Sequence, residues 1–170
     1  MVNEIAKILR ENGAVEFGEF TLASGAKSNY YLDVKTAMTK PVVLSEIAKS
    51  ISGRFTFDVV AGVAVGGVPL ATAVSLASKR PFAIIRSQEK SHGKGGRIIG
   101  HVEGRHVLLV EDVTTSGSSA LYGAKSLRDE GAVVETVVTV VDREAGAAGM
   151  LGREGLSLVA LARASEILEA

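Results

Sequence analysis

The stretch HVLLVEDVTTSGSSA, residues 106–120, joins a short apolar run to a turn rich in hydroxyls. Val107 to Val110 lead into two adjacent carboxylates, Glu111 and Asp112, and then into Thr114-Thr115-Ser116-Gly117-Ser118. Ala120, Ala124 and Leu127 follow at helical spacing. An unbroken apolar run of this length fits a strand covered on both faces, the setting of a parallel sheet. The stretch therefore predicts a strand over 106–110 that ends at the two acids, and a helix over about 118–130.

The same alternation extends outward. DVVAGVAV, residues 58–65, is a second apolar run, followed by Gly66-Gly67 and a helix over about 69–78. Shorter strands are expected at 82–85 and 133–141, and LSLVALA followed by ASEIL offers one more strand and a closing helix. Strands alternating with helices predict a doubly wound, mainly parallel α/β sheet with helices on both faces. Upstream, Pro41 suits a first helical turn, and Leu44, Ile47, Ala48 and Ile51 mark an amphipathic helix ending near Gly53. Ile5, Ile8 and Leu9 share one face of an opening helix closed by Gly13. Between them, residues 15–33 carry Phe17, Phe20, Tyr30 and Tyr31, four of the eight aromatic residues, and read as short strands around a turn. The polar, glycine-rich SQEKSHGKGGRIIGHVEG, residues 87–104, is too long for an ordinary connection and is expected to be a lid or a small hairpin.

In an open α/β sheet, ligands bind at the carboxyl ends of the strands. Small residues let backbone N–H groups converge on a phosphate, and a helix N-terminus adds positive potential. Glu111 and Asp112 repel that phosphate but can accept hydrogen bonds from a ribose diol, or approach a magnesium ion through water. Taken alone, a Ser/Thr/Gly cluster is more often a helix cap. The order of apolar strand, two acids, Thr-Thr-Ser-Gly and helix is much rarer, and it resembles the signature loop of type I phosphoribosyltransferases.

Three further segments are similar to the orotate phosphoribosyltransferase family, so that the resemblance spans nearly the whole chain. FTLASGAKSNYYLD (residues 20–33) resembles its N-terminal hood, RSQEKSHGKGG (86–96) its mobile catalytic loop, and VVDRE (140–144) the strand end whose arginine meets orotate. The resemblance implies a magnesium-dependent enzyme that joins orotate to ribose 5-phosphate drawn from phosphoribosyl pyrophosphate. It assigns Arg86, Lys90, His92 and Asp112 to catalysis. Arg86, Ser87, Lys90, His92, Glu111, Asp112, Val113, Thr114, Thr115, Ser116, Gly117, Ser118 and Ser119 would bind phosphoribosyl pyrophosphate. Thr115, Arg143, Tyr30 and Tyr31 would bind orotate, with one tyrosine expected to be structural. The resemblance further implies one domain over 1–170, comprising a hood of about 1–35 with the C-terminal segment, a core of about 41–162 and a mobile loop of 86–97. A homodimer with shared active sites is also implied. Many relatives carry lysine where this chain has Ala23 and Ser87, and Tyr-Lys where it has Val65-Gly66; Lys27 stands near the first of these positions.

Composition bounds the alternatives. A chain of 170 residues with 46% hydrophobic content can bury a full core. Nineteen basic and nineteen acidic residues cancel, which argues against nonspecific nucleic-acid binding. Zero cysteines exclude disulfides, thiolate catalysis and cysteine zinc sites. No run approaches the ~18 apolar residues of a membrane span, so a cytoplasmic, unexported protein without membrane or nucleic-acid partners is expected. No P-loop pattern GxxxxGK[ST] occurs. The nearest competing reading is a purine phosphoribosyltransferase, which would differ in the hood and at Arg143. A more distant one is a regulator of this fold that senses phosphoribosyl pyrophosphate and binds RNA.

Overall fold

The structure is a computed structural model and describes residues 3–21, 25, 27–90 and 96–170, with the backbone alone for 88–90. The opening helix α1 (Glu4–Glu11) is capped by Asn3, whose side-chain oxygen accepts hydrogen bonds from the N–H groups of Ile5 and Ala6 at 3.0 and 3.2 Å. Two antiparallel strands, β1 (Val15–Thr21) and β2 (Lys27–Leu32), form a separate small sheet at the hood positions. A short helix α2 (Val34–Met38) and the longer α3 (Pro41–Arg54) lead into β3 (Val59–Val63) and α4 (Gly67–Ser78). The chain continues through β4 (Phe82–Lys90), β5 (Gly96–Ile99), β6 (Val107–Thr114), α5 (Ser118–Asp129), β7 (Thr136–Asp142), α6 (Ala147–Gly152), β8 (Ser157–Arg163) and α7 (Ala164–Glu169).

The main sheet has the order β5-β4-β3-β6-β7-β8, parallel throughout except for β5, which returns antiparallel to β4. This is the expected doubly wound, mainly parallel sheet. Without β5, the order reverses between β3 and β6, because the chain moves first to one side of β3 and then to the other. Such a reversal opens a crevice outside the strands' carboxyl ends. The helices cover both faces. Leu108 and Val110 of β6 pack with Val43 and Ile47 of α3 and Leu70 of α4, whereas Val107 and Leu109 pack with Ala120, Ala124 and Leu127 of α5. The opening and closing segments meet, since the Asn3 amide donates to the Leu161 carbonyl at 2.8 Å and to Glu166 at 3.1 Å.

Several boundaries differ from those read in the sequence. β6 continues past Val110 to Thr114, because its ladder with β7 persists through Glu111↔Thr139, Val113↔Val141 and Thr114↔Asp142. β3 is shorter than residues 58–65, since Gly66 already has helical dihedrals and α4 begins at Gly67 rather than Pro69. β7 starts at Thr136 rather than Val133, which makes only an isolated bridge to His106. The 87–104 segment takes the hairpin form: β4 runs on to Lys90, which pairs with Gly96 of β5. Helices α2 and α6 have five and six residues, too few to show a periodicity in sequence.

Candidate active site

Side chains alternate across a strand, so adjacent residues point to opposite faces. Because β6 extends through both acids, Glu111 follows Leu109 toward α5 and Asp112 follows Val110 toward α4. Both are buried, at 4% exposure each. Glu111 accepts a hydrogen bond from the Ser119 hydroxyl of α5 at 2.9 Å. Asp112 meets the Lys35 ammonium of α2 at 3.0 Å. Apart from that ion pair, its Oδ2 has no hydrogen-bond partner among the described residues. A methyl group built on Gly66 would lie 2.6 Å from the same Oδ2, so the β3–α4 turn presses directly on this carboxylate.

Burial raises the Glu111 carboxyl from the ordinary 4.5 to about 7, against the opposing hydrogen bond from Ser119. The folded value lies above the unfolded one, so the native state holds more protons between them, and the group weakens the fold as pH rises through that window. Glu111→Gln is therefore expected to melt above the parent near pH 8, by the equivalent of up to about 3 kcal/mol, and close to it near pH 4. Thermal melts at the two pH values check this. A variant that melts lower than the parent near pH 8 would mean that the ionised carboxylate holds the fold together.

Two helix N-termini flank these acids. α5 starts after Gly117, which has a φ of +85° and gives the helix no side-chain cap. The Ser116 and Ser118 hydroxyls lie 2.8 Å apart at its entrance, and Thr115 and Ser116 are exposed. α4 starts after Gly66, also without a side-chain cap. Its approach to the sheet leaves no room for larger residues, because a methyl group on Gly62 would overlap the Gly67 carbonyl. Unpaired N–H groups at a helix start attract anions, and two such starts on adjacent strands suit a ligand with two separate phosphate groups. Thr114 is buried and donates to Asp142 at 3.4 Å, while Val113 is half-buried against the core.

The remaining candidates fall around this crevice or outside the described residues. Arg143 follows β7, and its N–H donates to the Thr114 carbonyl at 2.9 Å, which ties its strand end to the β6–α5 loop. Among the described residues it forms no ion pair with Asp142 or Glu144. Tyr30 packs against the core, whereas Tyr31 is exposed, has its ring centroid 5.6 Å from that of Phe20 in a tilted pair, and lies close enough to Lys35 to influence its ammonium. Arg86, half-buried in β4, donates to the Gly96 carbonyl at 2.9 Å and so braces the hairpin. Ser87 is exposed and Lys90 ends β4. His92 lies outside the described residues, as do Ala23 and the rest of 91–95. Lys35 was not anticipated. A single lysine two residues beyond Asp33 carries no motif, and its meeting with Asp112 is a product of the fold.

A family described as "Phosphoribosyl transferase domain" matches residues 36–149, from α2 to the start of α6. The orotate phosphoribosyltransferase of Methanoculleus marisnigri is 63% identical over 169 residues, covering 99% of both chains. The chain belongs to the orotate phosphoribosyltransferase family. Solved members of the family superpose over nearly the whole length. The Mycobacterium tuberculosis orotate phosphoribosyltransferase has a TM-score of 0.85 at 33% identity, covering 97% of each chain. The same enzyme in complex with 5-phospho-α-D-ribosyl 1-diphosphate has a TM-score of 0.77 at 30% identity, again covering 97% of each.

Proposed function

We propose that this chain transfers ribose 5-phosphate from phosphoribosyl pyrophosphate to orotate, giving orotidine 5′-monophosphate and pyrophosphate in the de novo synthesis of UMP. The observation that carries the reading is the crevice at the β3–β6 reversal, where two uncapped helix starts flank a buried carboxylate. In this reading the 5′-phosphate sits on the α5 start, held by Thr115, Ser116, Gly117, Ser118 and Ser119, and the ribose hydroxyls donate to Asp112 and Glu111. The pyrophosphate faces the α4 start. The bond from the anomeric carbon to pyrophosphate oxygen breaks with its electron pair leaving on the pyrophosphate, and the orotate ring nitrogen forms the new bond from the opposite side. Positive charge gathers on the sugar, as in glycoside cleavage, and the Asp112 carboxylate stabilises it.

Arg86, Lys90 and His92 supply donors to the leaving group when the 86–97 loop closes, and closure keeps water from the sugar cation. Arg143 pairs with the orotate carboxylate, and Tyr31 offers the ring a flat face. Asp112 fits magnesium in the manner typical of that ion, through one or two carboxylates, waters and the substrate's own phosphates. When bound, the metal would supply charge neutralisation of the pyrophosphate. The hood (about 1–35 with the C-terminal segment), the core (about 41–162) and the loop make up one domain, and two copies share their sites by exchanging loops.

Among the described residues, no helix is long and apolar enough to cross a membrane. A base panel tests the reaction: the protein is incubated with magnesium, phosphoribosyl pyrophosphate and, separately, orotate, uracil, adenine, hypoxanthine or xanthine. Orotate is expected to be the efficient acceptor. Preferential turnover of a purine would transfer the chain to the competing specificity and leave the fold assignment untouched.

A further inference from the structure

We propose that Lys35 is a direct ligand of the pyrophosphate group, bridging it to Asp112. The proposal rests on the transferase reading above and adds a residue to its machinery. Asp112 Oδ2 is flanked from two sides: the Lys35 ammonium is 3.0 Å away, and Gly66, in the turn that starts α4, sits where a methyl group would come within 2.6 Å. The ammonium therefore lies at the mouth of the β3–α4 turn, which faces the pyrophosphate in that reading, although its Val68 N–H is already bonded to the Val65 carbonyl at 3.2 Å. The Lys35 side chain is 68% exposed, whereas that of Asp112 is 6% exposed, so the cation reaches toward solvent from a partner rooted in the strand. An ammonium has three donors and no acceptor. Among the described residues the contact with Asp112 uses one of them, which leaves two to offer to phosphate oxygens. Asp112 holds the charge in place and raises the Lys35 pKa through its hydrogen bond and its charge.

Chain-specific need points the same way. Val65-Gly66 offers no side-chain cation at the β3–α4 turn, and residue 87 in the hairpin is serine. A tetra-anionic leaving group in that position requires positive charge from another element, and α2 delivers one. A structural role for the pair is the bland alternative, but an exposed lysine adds little to a fold by itself.

The test uses the full chain with Lys35→Ala and Lys35→Arg, and Lys49→Ala as control, since Lys49 pairs with Glu46 on the outer surface of α3. Calorimetry with inorganic pyrophosphate and magnesium, without any base, reads the contact directly. The Lys35→Ala protein is expected to bind pyrophosphate at least about tenfold more weakly, as expected for loss of a charge-assisted hydrogen bond. Its KM for phosphoribosyl pyrophosphate should rise in parallel while the KM for orotate stays within about twofold. Lys35→Arg should recover most of the loss, and the control should match the parent. Unchanged pyrophosphate binding in Lys35→Ala overturns the proposal, even where turnover falls, because lysine would then act only through Asp112. Weakening that comes only with a large drop in melting temperature overturns it too. Failure of the parent to use orotate would count against the base assignment, whereas the pyrophosphate titration would still decide the role of Lys35.

Discussion

Asp112→Asn is expected to lower kcat/KM for phosphoribosyl pyrophosphate by about 10²- to 10³-fold, the usual cost of removing one preorganised electrostatic group. The substitution keeps the shape of the side chain and removes its charge, which is the property that meets the developing sugar cation. Stability should change little. Lys35, the partner released by the change, is largely in water and can be hydrated there, so the melting temperature should move by less than about 4 °C, the equivalent of about 1 kcal/mol in a chain of this size. Steady-state kinetics and a thermal melt on one preparation read both quantities. Full activity, or a melt far below the parent, would make Asp112 a structural residue. The same protein also tests assembly when mixed with an inactive Lys90→Ala protein. If the hairpin tip serves the neighbouring subunit, exchange creates one site with both residues intact and activity returns. No recovery after verified exchange would confine Lys90 to its own subunit.

Arg143→Ala is expected to cost about 10³-fold in kcat/KM for orotate, corresponding to the loss of a two-pronged, charge-assisted contact with a carboxylate. Uracil lacks that carboxylate, so its much lower turnover should be nearly unaffected and the discrimination between the two bases should collapse. Lysine at this position should recover only part of the loss, because it has a point charge in place of the planar fork. The two bases measured side by side give the answer. Equal losses for both would show that Arg143 shapes the loop through its N–H bond to Thr114 rather than reading the base.

Much of this architecture was legible in the chain because its strands are buried on both sides. The runs around Val60 and Leu109 fit parallel strands covered on both faces, and the Gly66-Gly67 and Thr114–Ser118 turns marked their carboxyl ends. The acids were harder to place. Read as the end of a strand, Glu111 and Asp112 look like a matched pair; once β6 is known to reach Thr114, the strand's period of two separates them, one toward Ser119 and one toward Lys35. The hood's aromatic content was evident, but only packing distinguished Tyr30 from Tyr31. Lys35 illustrates the limit. Its partner is 77 positions away, and no local pattern encodes a contact made by a five-residue helix.

The squeeze between Gly66 and Asp112 also couples three positions of this chain. A Cβ at position 66 would lie 2.6 Å from the Asp112 carboxylate, so a larger residue there requires that carboxylate to swing aside, which would disturb its pairing with Lys35. Substitutions at the three positions are therefore expected to be epistatic, the effect of each depending on the residues at the other two. Gly66→Ala and Lys35→Ala made singly and together are expected to change activity non-additively, as neighbours that share a partner do.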